Sequence, residues 1–225
     1  MADIPKKKRI AYYGGSFDPI HRGHVAIAHA LLAQFELDEF VFIPAYHAPH
    51  KSGKLPTSAY DRYAMLCLVT KDDPKISVSK MEIEMPERPY SVETLARLNA
   101  ERPGDEIFFV MGADSWMDIT LWRDWEKVLS LSNHIVVTRP GVEIGFGHVT
   151  SEIRLRIVDL RDGSEPNGSL HRFAADELLI FITDKVKLDM SATEIRRKVR
   201  EKDRTWHGDV PPEVANYVEK YQIYN

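Results

Sequence analysis

The chain has 225 residues, of which 44% are hydrophobic and 28% are charged, with a net charge of −4 and a single cysteine, Cys67. The mild acidity argues against the broad basic surface of a nucleic-acid binder. A single cysteine excludes an internal disulfide and a thiolate zinc cage. No apolar run is long enough to cross a bilayer. We therefore expect a soluble, cytoplasmic protein that binds neither nucleic acid polymers nor membranes, folded as one domain over residues 1–225.

Apolar segments with strand character alternate with amphipathic helical segments along the chain. Strands are predicted at residues 8–13, 39–45, 75–84, 106–114, 134–141, 153–160 and 178–184. Helices are predicted at residues 24–35, 58–71, 91–102, 121–130, 191–201 and 211–224, whereas residues 141–168 are predicted to be irregular. This alternation predicts an α/β fold, a Rossmann-like, doubly wound, mostly parallel sheet with helices on both faces. Residues 190–225 would add a small C-terminal helical part.

Glycines follow two of the predicted strands. Gly14 and Gly15 close the first strand, and Gly112 precedes Asp114 at the end of the strand EIFFVM. Ligands of doubly wound sheets bind beyond the carboxyl ends of the strands. The sequence therefore predicts that these two glycine segments meet in one cleft.

Two histidines stand three positions apart just beyond the first glycine turn, in GGSFDPIHRGH. His21 and His24 would lie on one face of a first helical turn, whose free N–H groups attract anions. This arrangement favours a phosphate site. Two alternatives stay open from the residues alone: partly exposed surface histidines, or a metal pair completed by the nearby HAPH, whose spacing matches no zinc pattern.

The whole block GGSFDPIHRGH resembles the signature of the H-x-G-H nucleotidylyltransferases, and in particular that of the bacterial nicotinate-mononucleotide adenylyltransferases. The resemblance implies that His21 and His24 bind phosphates of ATP and of the transition state. It also implies that the backbone of Gly14, Gly15, Ser16 and Phe17 contacts ATP. The backbone of Ser16 and Phe17 would contact the mononucleotide as well.

Two further segments resemble ATP-binding parts of that family. The lysine of PHK implies a phosphate contact from Lys51, although a solvated loop is the alternative for this segment taken alone. DMSATEIRRK resembles the late S-[ST]-T-x-I-R motif, which implies ATP contacts from Ser191, Thr193 and Arg196. The same serine, three residues before Glu194, is also typical of a helix capping box.

Three segments resemble the acceptor-binding parts of the family. GADSWMDITLW places Asp114 where it could accept ribose hydroxyls and Trp122 where it could stack on a pyridine ring, while the other tryptophans nearby are expected to be packing residues. RPYSVETL and VVTRPG add three candidates. The mononucleotide contacts implied in this way are Ser91, Thr94, Asp114, Trp122 and Arg139, in addition to Ser16 and Phe17.

The resemblance implies transfer of the adenylyl group of ATP to nicotinate mononucleotide, giving nicotinate adenine dinucleotide and pyrophosphate without a covalent intermediate. His21, His24, Lys51 and Arg196 would carry the catalysis. Mg²⁺ is expected with ATP, and no metal ligand can be named, although Asp18 is near in sequence. Alternatives are another acceptor (nicotinamide mononucleotide or phosphopantetheine) or a non-catalytic nucleotide-binding module. A homo-oligomer is compatible with the sequence.

Overall fold

The computed structural model describes residues 7–46, 57–85, 89–141, 143–161 and 177–224. In these residues seven strands form one sheet in the order β3-β2-β1-β4-β5-β7-β6, and every pair of neighbours is parallel. The strands are β1 (Arg9–Gly15), β2 (Glu39–Pro44), β3 (Ile76–Val78), β4 (Glu106–Gly112), β5 (Asn133–Val137), β6 (Ile157–Asp159) and β7 (Ile180–Thr183).

Helices connect the strands and cover both faces of the sheet. The α-helices of the described residues are α1 (Arg22–Gln34), α2 (Ala59–Thr70), α3 (Ser91–Glu101), α4 (Ala113–Met117), α5 (Trp125–Leu129), α6 (Ser151–Leu155), α7 (Ala192–Arg200) and α8 (Pro212–Tyr221), with short 3-10 turns at Ile119–Leu121 and Arg204–Gly208. In that part of the chain no helix combines the length and the apolar character that a membrane span requires.

The central strands are buried on both faces, which explains their almost continuous apolar sequences. Successive side chains alternate between the faces. Tyr13 and Phe108 pack with residues of α1, α2, α7 and α8, whereas Tyr12 and Phe109 pack with residues of α3, α4 and α5. Burying one such aromatic side chain contributes roughly 2 kcal/mol. The predicted doubly wound α/β fold is confirmed, and the sheet is wholly parallel.

The structure corrects three predicted element boundaries. The strand expected at 75–84 ends at Val78, because the chain turns there and Ser79 Oγ accepts the amide of Met81 at 3.1 Å. The strand expected at 153–160 shrinks to β6, because Thr150 caps α6 by accepting from the amide N–H of Ile153. The helix expected at 121–130 begins only at α5, since Asp124 has a left-handed φ of 50°.

The chain reverses its direction of winding between β1 and β4. From β1 it proceeds outward through β2 and β3, then crosses back to β4 and proceeds outward on the other side. Such a switch point leaves a crevice at the carboxyl ends of the two central strands. The glycine segments predicted to meet lie there, at the ends of β1 and β4. Helices α7 and α8, from the predicted C-terminal helical part, pack on the same core as α1 and α2.

Candidate active site

A cavity of about 810 Å³ opens at this crevice, a size typical of small-molecule sites. The ends of β1, β4 and β5 form its floor, and the first turns of α1, α3 and α7 reach its walls. Of the predicted site residues, those that line it are Gly14, Gly15, Ser16, Phe17, His21, His24, Ser91, Asp114, Trp122, Arg139, Ser191 and Thr193. Residues up to 179 positions apart in the sequence, from Gly14 to Thr193, therefore surround one space.

Three predicted site residues are not found on the lining. Thr94 and Arg196 lie behind it, and both are engaged with other protein groups. Lys51 lies outside the described residues, in the stretch 47–56.

His21 and His24 form a stacked pair at the start of α1. Their ring centroids are 3.7 Å apart and their planes differ by 18°. The amide N–H of His21 donates to Nδ1 of His24 at 3.3 Å, which leaves Nε2 of His24 to carry the ring proton. Nδ1 of His21 is buried, and no described protein group bonds to it. The pair therefore has hydrogen-bonding capacity that the protein itself does not use.

Both imidazoles are neutral at pH 7. Burial lowers the pKa of His21 to about 4, and the nearby Asp209 carboxylate only partly opposes this effect. Burial, together with the adjacent His21, holds the pKa of His24 well below its ordinary value of 6.5. The pair consequently offers neutral hydrogen-bond donors rather than fixed positive charge.

Two glycines allow the close packing around this pair. A Cβ on Gly23 would lie 3.0 Å from Nδ1 of His21, so glycine leaves the space that this ring occupies as it folds back over the helix start. A Cβ on Gly15 would lie 2.8 Å from the ring of Phe17. That ring is in turn 5.0 Å from the ring of His24, in an edge-to-face contact.

A buried arginine that the sequence analysis did not identify holds the turn after β1. Arg62 of α2 is 1% exposed and donates to the carbonyl of Ser16 at 2.6 Å. A signal was available in the sequence, because Arg62 lies three and four positions before the buried Met65 and Leu66, on the apolar face of its helix. An arginine on that face must find internal acceptors.

Arg196 binds the same turn from the opposite end of the chain. Nη1 donates to the carbonyl of Asp18 and Nη2 to Oγ1 of Thr193. The Asp18 carboxylate is also occupied, since Oδ1 accepts the hydroxyl of Tyr224 at 2.7 Å. In this structure Arg196 orders the turn and does not project into the cavity.

The start of α7 differs from the predicted capping box. Ser191 occupies the N-cap position, but its side chain makes no capping hydrogen bond. Glu194 instead pairs with Arg197, one turn further along the helix. The capping-box prediction is therefore wrong, and the exposed hydroxyl of Ser191 stays available at a helix N-terminus that lines the cavity.

Aromatic and cationic side chains gather at the wall formed by the start of α3 and the segment before α5. Trp122 is half-buried on the lining beside Tyr90, Ser91 and Arg123. The guanidinium of Arg123 lies 4.8 Å from the ring centre of Tyr90, a cation–π contact. A flat ring and an anionic substituent would both find partners at this wall.

A buried carboxyl group, also not identified from the sequence, lies beneath this wall. Oε1 of Glu82 accepts the hydroxyl of Thr94 at 2.8 Å, which explains why Thr94 is turned away from the cavity. Glu82 lines the cavity, and burial raises its pKa to about 6. No sequence signal pointed to this position, because Glu82 is one of two glutamates in the strand predicted at 75–84.

Asp114 and Arg139 form an ion pair on the lining. Asp114 follows β4 and Arg139 follows β5, so the pair spans the carboxyl ends of two neighbouring strands. The Asp114 side chain is 71% exposed, which leaves it accessible to a ligand hydroxyl.

The described residues contain no group of three or more His, Cys, Asp or Glu side chains able to hold a metal ion. Asp18, the nearest candidate in sequence, is 6% exposed and bound to Tyr224. These residues do not fit a resident metal centre. Mg²⁺ characteristically keeps several waters and binds through substrate phosphates, so a nucleotide could carry it in.

Comparisons with known proteins identify the family of this chain. The family model described as cytidylyltransferase-like matches residues 12–198. A protein of Streptomyces coelicolor named probable nicotinate-nucleotide adenylyltransferase is 36% identical over 211 residues, covering 94% of this chain and 98% of its own length. One of the same name from Geobacter metallireducens is 35% identical over 225 residues, covering 96% of this chain and 98% of its own.

Solved structures share the fold. The Plasmodium falciparum nicotinic acid mononucleotide adenylyltransferase, solved with APC, superposes with a TM-score of 0.70 at 20% identity, covering 96% of this chain and 97% of that one. Its complex with NaAD gives the same values. By its sequence, this chain belongs to the cytidylyltransferase-like family, among the nicotinate-nucleotide adenylyltransferases.

Proposed function

We propose that this enzyme transfers the adenylyl group of ATP to nicotinate mononucleotide, forming nicotinate adenine dinucleotide and pyrophosphate. The observation that carries the proposal is one cavity in which the stacked His21–His24 pair faces the same space as the Trp122 wall. Phosphate chemistry and recognition of a flat base thus share a single site. The curated relatives carry the name of this activity.

The reaction needs no general base and no enzyme nucleophile. A 5′-phosphate oxygen of the mononucleotide attacks the α-phosphorus of ATP, and a phosphorus–oxygen bond forms as the bond to the pyrophosphate oxygen breaks. The attacking oxygen is already ionised near neutral pH, since the second pKa of a phosphate monoester is near 6. The protein's contribution is positioning and stabilisation of charge in the transition state.

The histidine pair would donate to the oxygens of the α-phosphate. Nε2–H of His24 is the ring donor that the protein leaves free, on a half-buried ring that lines the cavity. Bound phosphate charge would raise the pKa of both rings, so the donors strengthen as negative charge accumulates. The N-terminus of α1 adds its own attraction for anions, and its first turn holds no acidic residue.

The remaining contacts extend the proposal to both substrates. Ser191 and Thr193 at the start of α7, with Lys51, would serve the departing pyrophosphate, which enters as the Mg²⁺ complex of ATP. Arg196 would act through the turn after β1 that it orders. Trp122 would stack on the pyridine ring, Ser91 would bind the ring carboxylate, and Asp114 with Arg139 would contact ribose or phosphate. We place the reaction in the cytoplasm, with small nucleotides and no nucleic acid polymer as partners.

The acceptor preference follows from charge. Nicotinate carries a carboxylate where nicotinamide carries a neutral amide, and the exposed guanidinium of Arg123, whose only ion-pair partner among the described residues is Glu93 at 3.9 Å, favours an anion at the Trp122 wall. Phosphopantetheine has no flat ring for Trp122 to stack on. Nicotinamide mononucleotide is therefore the second candidate, and phosphopantetheine the third.

Product identification tests the proposal. The purified enzyme is incubated with MgATP and one acceptor at a time, and the dinucleotide and pyrophosphate are quantified. We expect equal amounts of both products with nicotinate mononucleotide, and a kcat/KM for nicotinamide mononucleotide at least about tenfold lower, as expected for one charged contact. If the protein binds ATP but forms no dinucleotide with any of the acceptors, it is instead a non-catalytic nucleotide-binding module.

A further inference from the structure

Arg62 connects three separate parts of the main chain, two of which reach the cavity lining, at Ser16 and Ala45. Its Nη1 donates to the carbonyl of Ser16 at 2.6 Å, and Nη2 donates to the carbonyls of Ala45 at 2.6 Å and Tyr46 at 3.2 Å. Nε donates to the carbonyl of Thr57 at 3.0 Å. Every one of these acceptors is a backbone carbonyl, in the connections after β1, after β2 and before α2. The guanidinium therefore fixes main-chain geometry.

The bond to Ser16 has a directional consequence. The carbonyl of Ser16 and the N–H of Phe17 belong to one planar trans peptide group, in which the two bonds point in opposite directions. Because the carbonyl points at Arg62, the Phe17 N–H points away from it. Ser16 and Phe17 line the cavity, whereas Arg62 lies behind it.

The Phe17 amide is also available for binding. Among the described residues no acceptor receives its N–H. Its backbone has a φ of 46°, a left-handed conformation that non-glycine residues adopt only when their surroundings impose it. Arg62 on one side of the turn and Arg196 on the other, through the carbonyl of Asp18, supply that constraint.

We propose that Arg62 is a positioning residue for adenylyl transfer, which holds the Ser16 carbonyl so that the Phe17 N–H is aimed at a phosphate oxygen beside His24. The inference rests on the proposed function, because it requires a substrate that presents phosphate at the histidine pair. Arg62 itself would not contact the substrate, because it does not line the cavity. The Phe17 amide makes the contact, and Arg62 determines its direction.

Arg156 provides a matched control. It also donates to two backbone carbonyls, from Nε to Leu178 at 2.6 Å and from Nη2 to Leu129 at 2.5 Å, but it does not line the cavity. Arg62→Lys and Arg156→Lys each replace a guanidinium that binds several main-chain carbonyls, four for Arg62 and two for Arg156, by a single ammonium group that keeps the charge. Both are expected to lower the melting temperature.

Steady-state kinetics separate positioning from folding. At a temperature where both variants are folded, Arg62→Lys should lower kcat about tenfold or more with KM changed less than about threefold, because the bond from the amide to phosphate forms when MgATP binds and becomes much stronger as charge accumulates in the transition state. Arg156→Lys should keep kcat. A kcat for Arg62→Lys within about twofold of the unsubstituted enzyme, with a loss of stability like that of Arg156→Lys, would overturn the proposal.

A measurement on the unsubstituted enzyme keeps the proposal testable even if Arg62→Lys does not fold. With ¹⁵N-labelled phenylalanine, the Phe17 amide proton should move downfield when MgATP binds, as expected for a new bond to an anionic oxygen. An unmoved Phe17 resonance at saturating nucleotide would refute the inference. A moved resonance in an enzyme that forms no dinucleotide would contradict the proposed function and leave the positioning role standing.

Discussion

His24 illustrates how much chemistry one residue obtains from its immediate surroundings. An exposed imidazole would be partly charged near neutral pH, but burial and the neighbouring His21 keep this one neutral. The backbone N–H at its Nδ1 then selects the tautomer with the proton on Nε2. A uniquely oriented neutral donor results, and it costs no reorganisation when charge develops nearby.

Replacing His24 should remove that donor. We expect His24→Ala to lower kcat by about a thousandfold, the upper range for loss of one preorganised donor. His29 provides the control on the same helix, since its exposed ring pairs with Asp73 at 3.1 Å and does not line the cavity. His29→Ala should keep full activity in the same pyrophosphate-release assay. Near-normal turnover of His24→Ala would refute the role given to this ring.

The residue scale also shows what the sequence could reveal about the site. The resemblance to the H-x-G-H family implied twelve of the lining residues, because the motifs that carry the resemblance are contiguous and each keeps the side chains of one turn together. Arg62 and Glu82 were missed, since their importance depends on carbonyls and hydroxyls brought close only by the fold. The orientation of Arg196, toward the Asp18 carbonyl, likewise follows from a contact across 178 positions.

At the scale of elements, the start of α1 combines a helix N-terminus with the stacked imidazole pair. Gly23 is one of the two positions between the histidines, and alanine would suit it better as far as helix propensity is concerned. The structure explains the glycine instead by the space that the His21 ring occupies. Glycine therefore makes the start of α1 less stable than alanine would, and it leaves room for the His21 ring in the stacked pair.

Gly23→Ala should therefore separate activity from stability. The added Cβ would stand 3.0 Å from Nδ1 of His21 and displace the ring, so we expect kcat to fall at least about tenfold. The free energy of unfolding should change by less than about 1 kcal/mol, because the gain in helix propensity offsets the crowding. Gly208→Ala, where a Cβ would meet nothing within 4 Å, is the control for kinetics and urea unfolding. Unchanged kcat in Gly23→Ala would contradict this explanation.

Strand positions were more predictable in the centre of the sheet than at its edges. Strands β1, β2, β4, β5 and β7 are buried on both sides and have apolar runs at their observed positions, although the strand predicted at 134–141 ends at Val137 and the one predicted at 106–114 ends at Gly112. The edge strands β3 and β6 are only three residues long. Their limits depend on a Ser79 turn and a Thr150 cap, which override alternating patterns that resemble longer strands.

At the scale of the whole molecule, burial of neutral histidines couples folding to pH. Burial lowers the pKa of His21 to about 4 and that of His134 to about 3, from 6.5. As pH falls through 6.5 the unfolded chain takes up protons that the folded chain does not, so the folded state loses stability. Glu82 acts in the opposite sense. Burial raises its pKa from 4.5 to about 6, so protonated Glu82 stabilises the folded protein at low pH. This stabilisation is lost as the pH rises from 4.5 to 6.

The free energy of unfolding should thus decrease between pH 7 and pH 5, by about 2 kcal/mol for each of these two histidines at the lower pH. Urea denaturation at several pH values measures the slope. His134→Gln, which can still donate to the Ser132 carbonyl as Nδ1–H of His134 does, should flatten it. A slope that this substitution leaves unchanged would show that the buried imidazole does not stay neutral in the folded protein.

A structure of the enzyme with nicotinate mononucleotide and a non-hydrolysable ATP analogue tests the central claim most directly. The α-phosphate should lie within hydrogen-bond distance, about 2.7–3.2 Å, of Nε2 of His24, with the pyridine ring against Trp122 in the same cavity. Nucleotide phosphates bound away from the histidine pair, or a mononucleotide seated outside the crevice between β1 and β4, would contradict it.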